Sequence, residues 1–269
     1  MSCGEKTVDL SVERGYAVCV PKRYGIQIGK LHGIGKRENQ EDAFAISEIK
    51  DDDVSQNDIF VVLADGMGGM QDGERASSAA VISCMQYYEQ GDFKPDWMKD
   101  MVLNANDAAI EALGSSAGSG GSTLIAVQIC EMKVKWVSVG DSHLYLYRDG
   151  ELKQVNHDHN YGAVLDEQAK NGEISQEEAL YHARRKALTS YIGLSDLEEI
   201  DGIGETLDMK RGDYLLLLSD GVFGTLSDDE IIANLHDSIG KSALCIQAEI
   251  ESKRKANQDN YTGILIKFN

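Results

Sequence analysis

Carboxylates recur at one kind of position in this chain. Asp65 follows the apolar run IFVVLA and precedes GMGG, and Asp220 follows YLLLLS and precedes Gly221. Asp141 follows VKWVSVG and precedes Ser142. Asp259 stands just before Asn260 and the run YTGILI, and Glu41-Asp42 stand just before AFAISEI. Each acid therefore sits at the end of a run that reads as a buried strand. A single Asp-Gly after a strand is ordinary turn chemistry. Five such places, with Arg37 four residues before Glu41, ask for more. Buried carboxylates are costly, and a cluster of them is costlier unless cations are present. Hard divalent cations prefer oxygen ligands, so Mg²⁺ or Mn²⁺ resolves the conflict.

Other chemistries fit less well. The cysteines are Cys3, Cys19, Cys84, Cys130 and Cys245, widely spaced, with no C-x-x-C pair. That spacing suits a reducing compartment and no structural zinc. A cysteine phosphatase needs Arg six residues after its thiolate; here those positions are Asp9, Gly25, Gln90, Trp136 and Glu251. The stretch GSSAGSGGS at 114–122 lacks the Lys of a phosphate-binding loop and reads as a flexible connection. LSDGVFGTL is similar to the haloacid-dehalogenase motif, but position 218 is Leu where the D-x-D order needs a carboxylate. His157-Asp158-His159 has no third ligand nearby in sequence and reads as local hydrogen bonding. The acidic run Asp51-Asp52-Asp53 reads as a solvated loop.

The elements that must position the acids follow from periodicity. Strand-like runs cover 25–32, 43–49, 59–64, 122–130, 133–139, 143–148, 151–155, 214–218 and 261–268. Asp149-Gly150 between two of them predicts a hairpin. Helix-like runs cover 74–89, 96–113, 160–170, 175–182 and 242–255. Ser175 with Glu178 and Ser227 with Glu230 are capping-box pairs. Lys253, Arg254 and Lys255 suit a helix C-terminus. Strands come in groups rather than in βαβ alternation, so antiparallel sheets with helices packed outside are expected.

Composition bounds the partners. The 269 residues carry 26 Lys plus Arg and 45 Asp plus Glu, a formal charge of −19. Such an excess disfavours nucleic acid and anionic lipid. No apolar run approaches the roughly 18 residues of a membrane helix, and the first residues carry no signal-like apolar stretch. A soluble, cytoplasmic protein with no nucleic-acid or membrane partner is expected. Residues 1–24 read as a short extension, and 25–269 as a single domain.

Ordered motifs from Tyr24 to Phe268 resemble the metal-dependent protein phosphatases of the type 2C (PPM) family, compact bacterial members above all. They are GKRENQEDAF, VLADGMGGMQDGERAS, GGSTLIAV, VGDSHLYLYRDGEL, NHDHN, NGEISQEEALYHARRKALTSYIG, LLLLSDGVFGTLSDDEI and ANQDNYTGILI. The resemblance implies an α+β fold, a four-layer α-β-β-α sandwich with two central antiparallel sheets. It implies hydrolysis of phosphoserine and phosphothreonine in proteins, by a water activated on two Mn²⁺ or Mg²⁺ ions.

By the same resemblance Asp65 bridges both ions and the Gly66 carbonyl binds one. Asp220 and Asp259 hold the other, and Glu41 or Asp42 completes the Gly66 side. Asp141 with Asp220 matches a third, weaker site. Arg37 matches the residue that grips the substrate phosphate, a task its planar paired donors suit. Two such ions about 3.5–4 Å apart lower the pKa of a shared water toward about 7. The implied catalytic set is Arg37, Asp65 and Asp220, with phosphorylated proteins as substrates and a serine/threonine kinase as counterpart. Residues 160–186 match the family's flap. Three departures stand out: Met67 where many members have His, His143 in place of Arg in G-D-S-R, and Asn160 in place of Ser in D-H-S. Every expected ligand position is filled, which disfavours the alternative of a non-catalytic phosphatase-like binding domain.

Overall fold

The computed structural model describes residues 25–47, 58–68, 71–91, 93–116 and 118–269. The 1–24 extension and the acidic run 51–53 lie outside the described residues. Eleven strands form: β1 (Ile26–Gly33), β2 (Asp42–Ile46), β3 (Ile59–Met67), β4 (Gly121–Ser122), β5 (Leu124–Cys130), β6 (Lys133–Val139), β7 (His143–Arg148), β8 (Glu151–Gln154), β9 (Thr206–Asp208), β10 (Tyr214–Leu218) and β11 (Tyr261–Phe268). The α-helices are α1 (Asp72–Gln90), α2 (Trp97–Leu113), α3 (Tyr161–Lys170), α4 (Gln176–Leu180), α5 (Asp220–Phe223), α6 (Asp228–Ala233) and α7 (Ile239–Ser252).

The strands build two sheets. One runs β1-β11-β10-β7-β8; the other runs β2-β3-β5-β6-β9, with β4 added beside β3. Every pairing is antiparallel. Alternation along the strands makes the layers. In β3, Phe60, Val62 and Ala64 pack with Met101, Val102 and Ala105 of α2 and with Ala76 and Ala80 of α1. Ile59, Val61 and Leu63 face the other way and pack with Ile264 and Ile266 of β11 and Leu215 and Leu217 of β10. On the outer face of that second sheet, Leu216, Leu218 and Leu265 pack with Ile239, Ala243, Ile246 and Ile250 of α7. Three apolar interfaces separate four layers, the expected α-β-β-α sandwich.

Several local expectations hold in detail. Asp149 and Gly150 both take positive φ, at 52° and 89°, and join β7 to β8. Both capping boxes form, at Ser175 with Glu178 and at Ser227 with Glu230. Others need correction. The run 122–130 breaks at Thr123, because Ser122 pairs with Gly66 at the end of β3 while β5 begins at Leu124. Gly121–Ser122 is therefore a strand, not the end of a flexible connection. The last helix starts earlier and stops at Ser252, so the three cations lie beyond its last turn. There Lys253 turns to Glu230 and Glu249. The short elements β9 and α5 have no counterpart in the sequence reading.

Candidate functional site

Strand periodicity aims the acids into one place. Continuing the inward series Ile59, Val61, Leu63 puts Asp65 on the face between the sheets. In β2, Phe44 and Ile46 pack into the inter-sheet core, and the same period puts Asp42 there. Asp42 and Asp65 are direct cross-strand partners, an arrangement that is unfavourable for like charges. Following Leu215 and Leu217, Ser219 points inward from the opposite sheet, and Thr262 does so ahead of Ile264 and Ile266. Both reach Asp42: its Oδ2 accepts from Ser219 Oγ at 2.9 Å and from Thr262 Oγ1 at 2.6 Å. Asp42 is only 5 % exposed, and its Oδ1 has no hydrogen-bond partner among the described residues.

The other acids arrive on turns. Gly140, at φ 94°, carries the chain from β6 to Asp141; a Cβ there would stand 2.8 Å from the Thr123 side chain. Asp141 Oδ2 accepts from Asn160 Nδ2 at 3.3 Å. Asp220 opens α5, one residue past the buried Ser219. Asp259 precedes β11 and accepts from Arg37 Nη2 at 2.6 Å. Gly66 is gripped closely: a Cβ would lie 2.3 Å from the Gly73 carbonyl and 2.5 Å from that of Glu41. The Glu41 carboxylate in turn lies against Gly73 in the first turn of α1.

Asn260 holds the segment that carries Arg37. Its Nδ2 donates to the carbonyls of Ile34 and Asn39, and its Oδ1 accepts from the Glu41 N–H at 2.8 Å. Asn260, Ser219 and Thr262 hold the site's segments and acids by hydrogen bonds, and the sequence reading did not single them out. Their signal was available: polar side chains at inward positions of apolar strands, or beside an acid already singled out.

Electrostatics confirm that the acids act on one another. Burial pushes Asp65 well above the usual carboxylate range, and the charges of Asp42, Asp220, Asp141 and Asp259 push it further. Burial raises Asp42 despite its hydroxyl donors. Asp141 is raised to about 6, chiefly by burial. Asp220 is raised by burial and by Asp259, against Lys186 and Arg37. Burial also raises Glu41. The Arg37 guanidinium is held more firmly charged by its bond to Asp259. All the sequence-predicted site residues thus gather at one end of the inter-sheet space. Among the described residues, no three His, Cys, Asp or Glu side chains stand together as a finished coordination shell.

This cluster suits hard cations. It offers oxygen donors, an orphaned buried carboxylate oxygen on Asp42, and mutual repulsion that positive charge would relieve. The flanking histidines stay out of it. His157 Nδ1 lies 3.0 Å from Asp201 Oδ2, and His159 Nδ1 accepts from the Gly140 N–H at 3.2 Å. These are the local bonds expected of them.

Known proteins share this fold. The serine/threonine phosphatase stp of Listeria welshimeri is 28 % identical over 244 residues, 87 % of this chain and 92 % of that one. The protein phosphatase PhpP of Streptococcus pneumoniae is 32 % identical over 180 residues, 64 % of this chain and 70 % of that one. The solved serine/threonine phosphatase of S. agalactiae superposes with a TM-score of 0.78 at 26 % identity, covering 91 % of this chain and all of that one. The family model for protein phosphatase 2C matches residues 29–254, a span that takes in every acid of the site but Asp259. With the sandwich and its ring of carboxylates both in place, the chain belongs to the protein phosphatase 2C family.

Proposed function

We infer that the chain is a metal-dependent protein serine/threonine phosphatase and propose the acid cluster as its active centre. One observation carries the assignment of the site: half-buried Asp65 feels the charges of four other carboxylates from four separate segments. No stable fold keeps such a group for packing alone.

In this reading Asp65, Asp220, Asp259, Glu41 and Asp42, with the Gly66 carbonyl, would hold two Mn²⁺ or Mg²⁺ ions, and Asp141 with Asp220 would hold a third. Bound there, the ions would supply Lewis-acid activation of water and neutralise phosphoryl charge. The rest of the work falls to the chain. Asp42 offers Oδ1, because Oδ2 is engaged by Ser219 and Thr262. Arg37, with a side chain 52 % exposed, stands at the rim. Its bond to Asp259 uses one nitrogen and leaves the other donors of the fork for phosphoryl oxygens. Asn260 keeps that loop in register with Asp259. The apolar strands beneath exclude bulk water from one side. Cys84 does not compete as nucleophile: it is buried, and that burial pushes its thiol far above its usual range.

The test is phosphate release from a phosphothreonine peptide. Release requires Mn²⁺ or Mg²⁺, stops in EDTA and is lost in Asp220→Asn. Activity that survives both treatments sinks the reading.

Three finer points go with it. A serine/threonine kinase is the expected counterpart, since its products are the substrates. Residues 25–269 act as one catalytic unit, supported by the pairing of β1 with β11. A cytoplasmic location is the third; no helix among the described residues is long and apolar enough to cross a membrane.

A further inference from the structure

The β1–β11 ladder sets His32 directly opposite Thr262, so the two side chains share a face. His32 Nδ1 lies 2.8 Å from Thr262 Oγ1. Thr262 Oγ1 in turn reaches Asp42 Oδ2 at 2.6 Å. An unbroken chain of hydrogen bonds therefore runs from β1, through β11, to the buried acid that opens β2. The His32 ring is itself held edge-on to Phe44, with centroids 5.3 Å apart and planes at 67°. Phe44 is two residues along β2 from Asp42.

The direction of the chain follows from counting protons. A carboxylate only accepts, so with Asp42 ionised both of its hydroxyl partners must donate. Ser219 and Thr262 each own one hydroxyl proton, and each spends it on Asp42 Oδ2. Only lone pairs remain on the two oxygens. Ser219 Oγ accepts the Thr262 backbone N–H at 2.9 Å. Thr262 Oγ1 has a ring nitrogen as its partner instead, so that nitrogen must carry a proton. Burial and the charge of Lys30 lower the His32 pKa to about 4. Near pH 7 the ring is therefore the neutral tautomer with its proton on Nδ1.

The consequence reaches the other oxygen of the acid. With Oδ2 gripped by two donors, the Asp42 carboxylate cannot rotate freely. Its Oδ1 has no hydrogen-bond partner among the described residues. Without the ring N–H, the Thr262 hydroxyl loses the partner that orients it, and one of the two grips on Oδ2 loosens. We propose that His32 is a positioning residue for the metal centre, which acts through Thr262 to hold Asp42 with Oδ1 presented to the cation. This rests on the metal site of the phosphatase reading above.

The test is calorimetric titration of the metal-free full chain with Mn²⁺. Losing a partner behind a metal ligand weakens binding by about ten- to a hundredfold. His32 stands one bond further back, so His32→Leu should weaken Mn²⁺ binding by about tenfold, the low end of that range. His32→Asn places an amide N–H near the position of Nδ1–H and keeps the wild-type affinity. His32→Gln carries its amide beyond that position and binds as weakly as the leucine variant. In a Thr262→Val background, His32→Leu adds no further loss, because the link is already cut. Unchanged Mn²⁺ affinity in His32→Leu overturns the proposal. So does a loss in His32→Asn equal to that in His32→Leu, or a loss that adds in full to that of Thr262→Val. Should His32→Leu fail to fold, the asparagine and glutamine variants decide alone, and equal affinities overturn the proposal. A wild type that takes up no Mn²⁺ sinks the metal site and this inference with it. A wild type that binds Mn²⁺ but releases no phosphate sinks the phosphatase reading alone.

Discussion

The space between the two sheets has two regions, built by the same strands. Its centre is dry and apolar: Val61, Leu63, Ile125, Leu215, Leu217 and Ile264 are fully buried there. One period further along β3 the inward residue is Asp65, and one period further along β10 it is Ser219. The centre releases water and gains dispersion contacts. The rim gathers acids whose pKa values burial and mutual repulsion raise. The fold's stability comes from the first region, and it is large enough to hold the second in an arrangement that no isolated peptide would adopt. One strand period, as from Leu63 to Asp65, separates a group that holds the protein together from one that strains it.

That contrast can be broken from either side. The largest effect is expected for Asp65→Asn, which should cut turnover at least about a hundredfold, the scale for removing a group that acts on the transition state. The same variant should raise the Tm of the metal-free protein, because it removes a charge pressed by four others. Steady-state kinetics and a thermal melt in EDTA check the two directions together; a fall in both would remove the distinction between the regions. Leu217→Ala should do the reverse, costing about 2–5 kcal/mol in denaturant unfolding while turnover per folded molecule persists.

A subtler separation uses pH. Asp141 sits at about 6 in the folded chain, and Asp65, Asp42 and Asp220 are also raised, whereas unfolded aspartates titrate near about 4. The folded form therefore binds more protons than the unfolded form between these values. Stability from these groups is full below the unfolded pKa and is lost as pH rises through the folded one. Metal-free protein should melt several degrees lower at pH 7 than at pH 5, and Mn²⁺ at pH 7 should reverse the loss. A flat melting profile in EDTA would refute the strain assigned to the rim. The smallest effect should come from a place that belongs to neither region. Ser227→Ala removes the α6 capping box and should cost about 1 kcal/mol, with kinetic constants unmoved.

The same two regions explain what could be read from the residues alone. The centre was legible strand by strand, because β3, β6, β7, β10 and β11 announce themselves by length and apolar content. The rim acids were legible because they interrupt those runs. The contacts among them were not. Asp42 meets Ser219 and Thr262 only when the opposite sheet is in place, and Arg37 meets Asp259 across most of the chain. β9 escaped notice because three residues at a sheet edge, Thr206 to Asp208, carry no period. α5 escaped because its first residue, Asp220, reads equally well as the end of a strand and the start of a turn.

The pairing of β1 with β11 has a consequence for the newly made chain. Ile26–Gly33 leaves the ribosome long before its partner Tyr261–Phe268. The sheet of β2, β3, β5 and β6 can close its ladder within residues 42–139, whereas β1 must wait for β11. Asp259 and Asn260 arrive just ahead of β11. A nascent chain therefore keeps an incomplete acid ring and an untethered Arg37 until β11 has been made, so the chemistry waits on that strand.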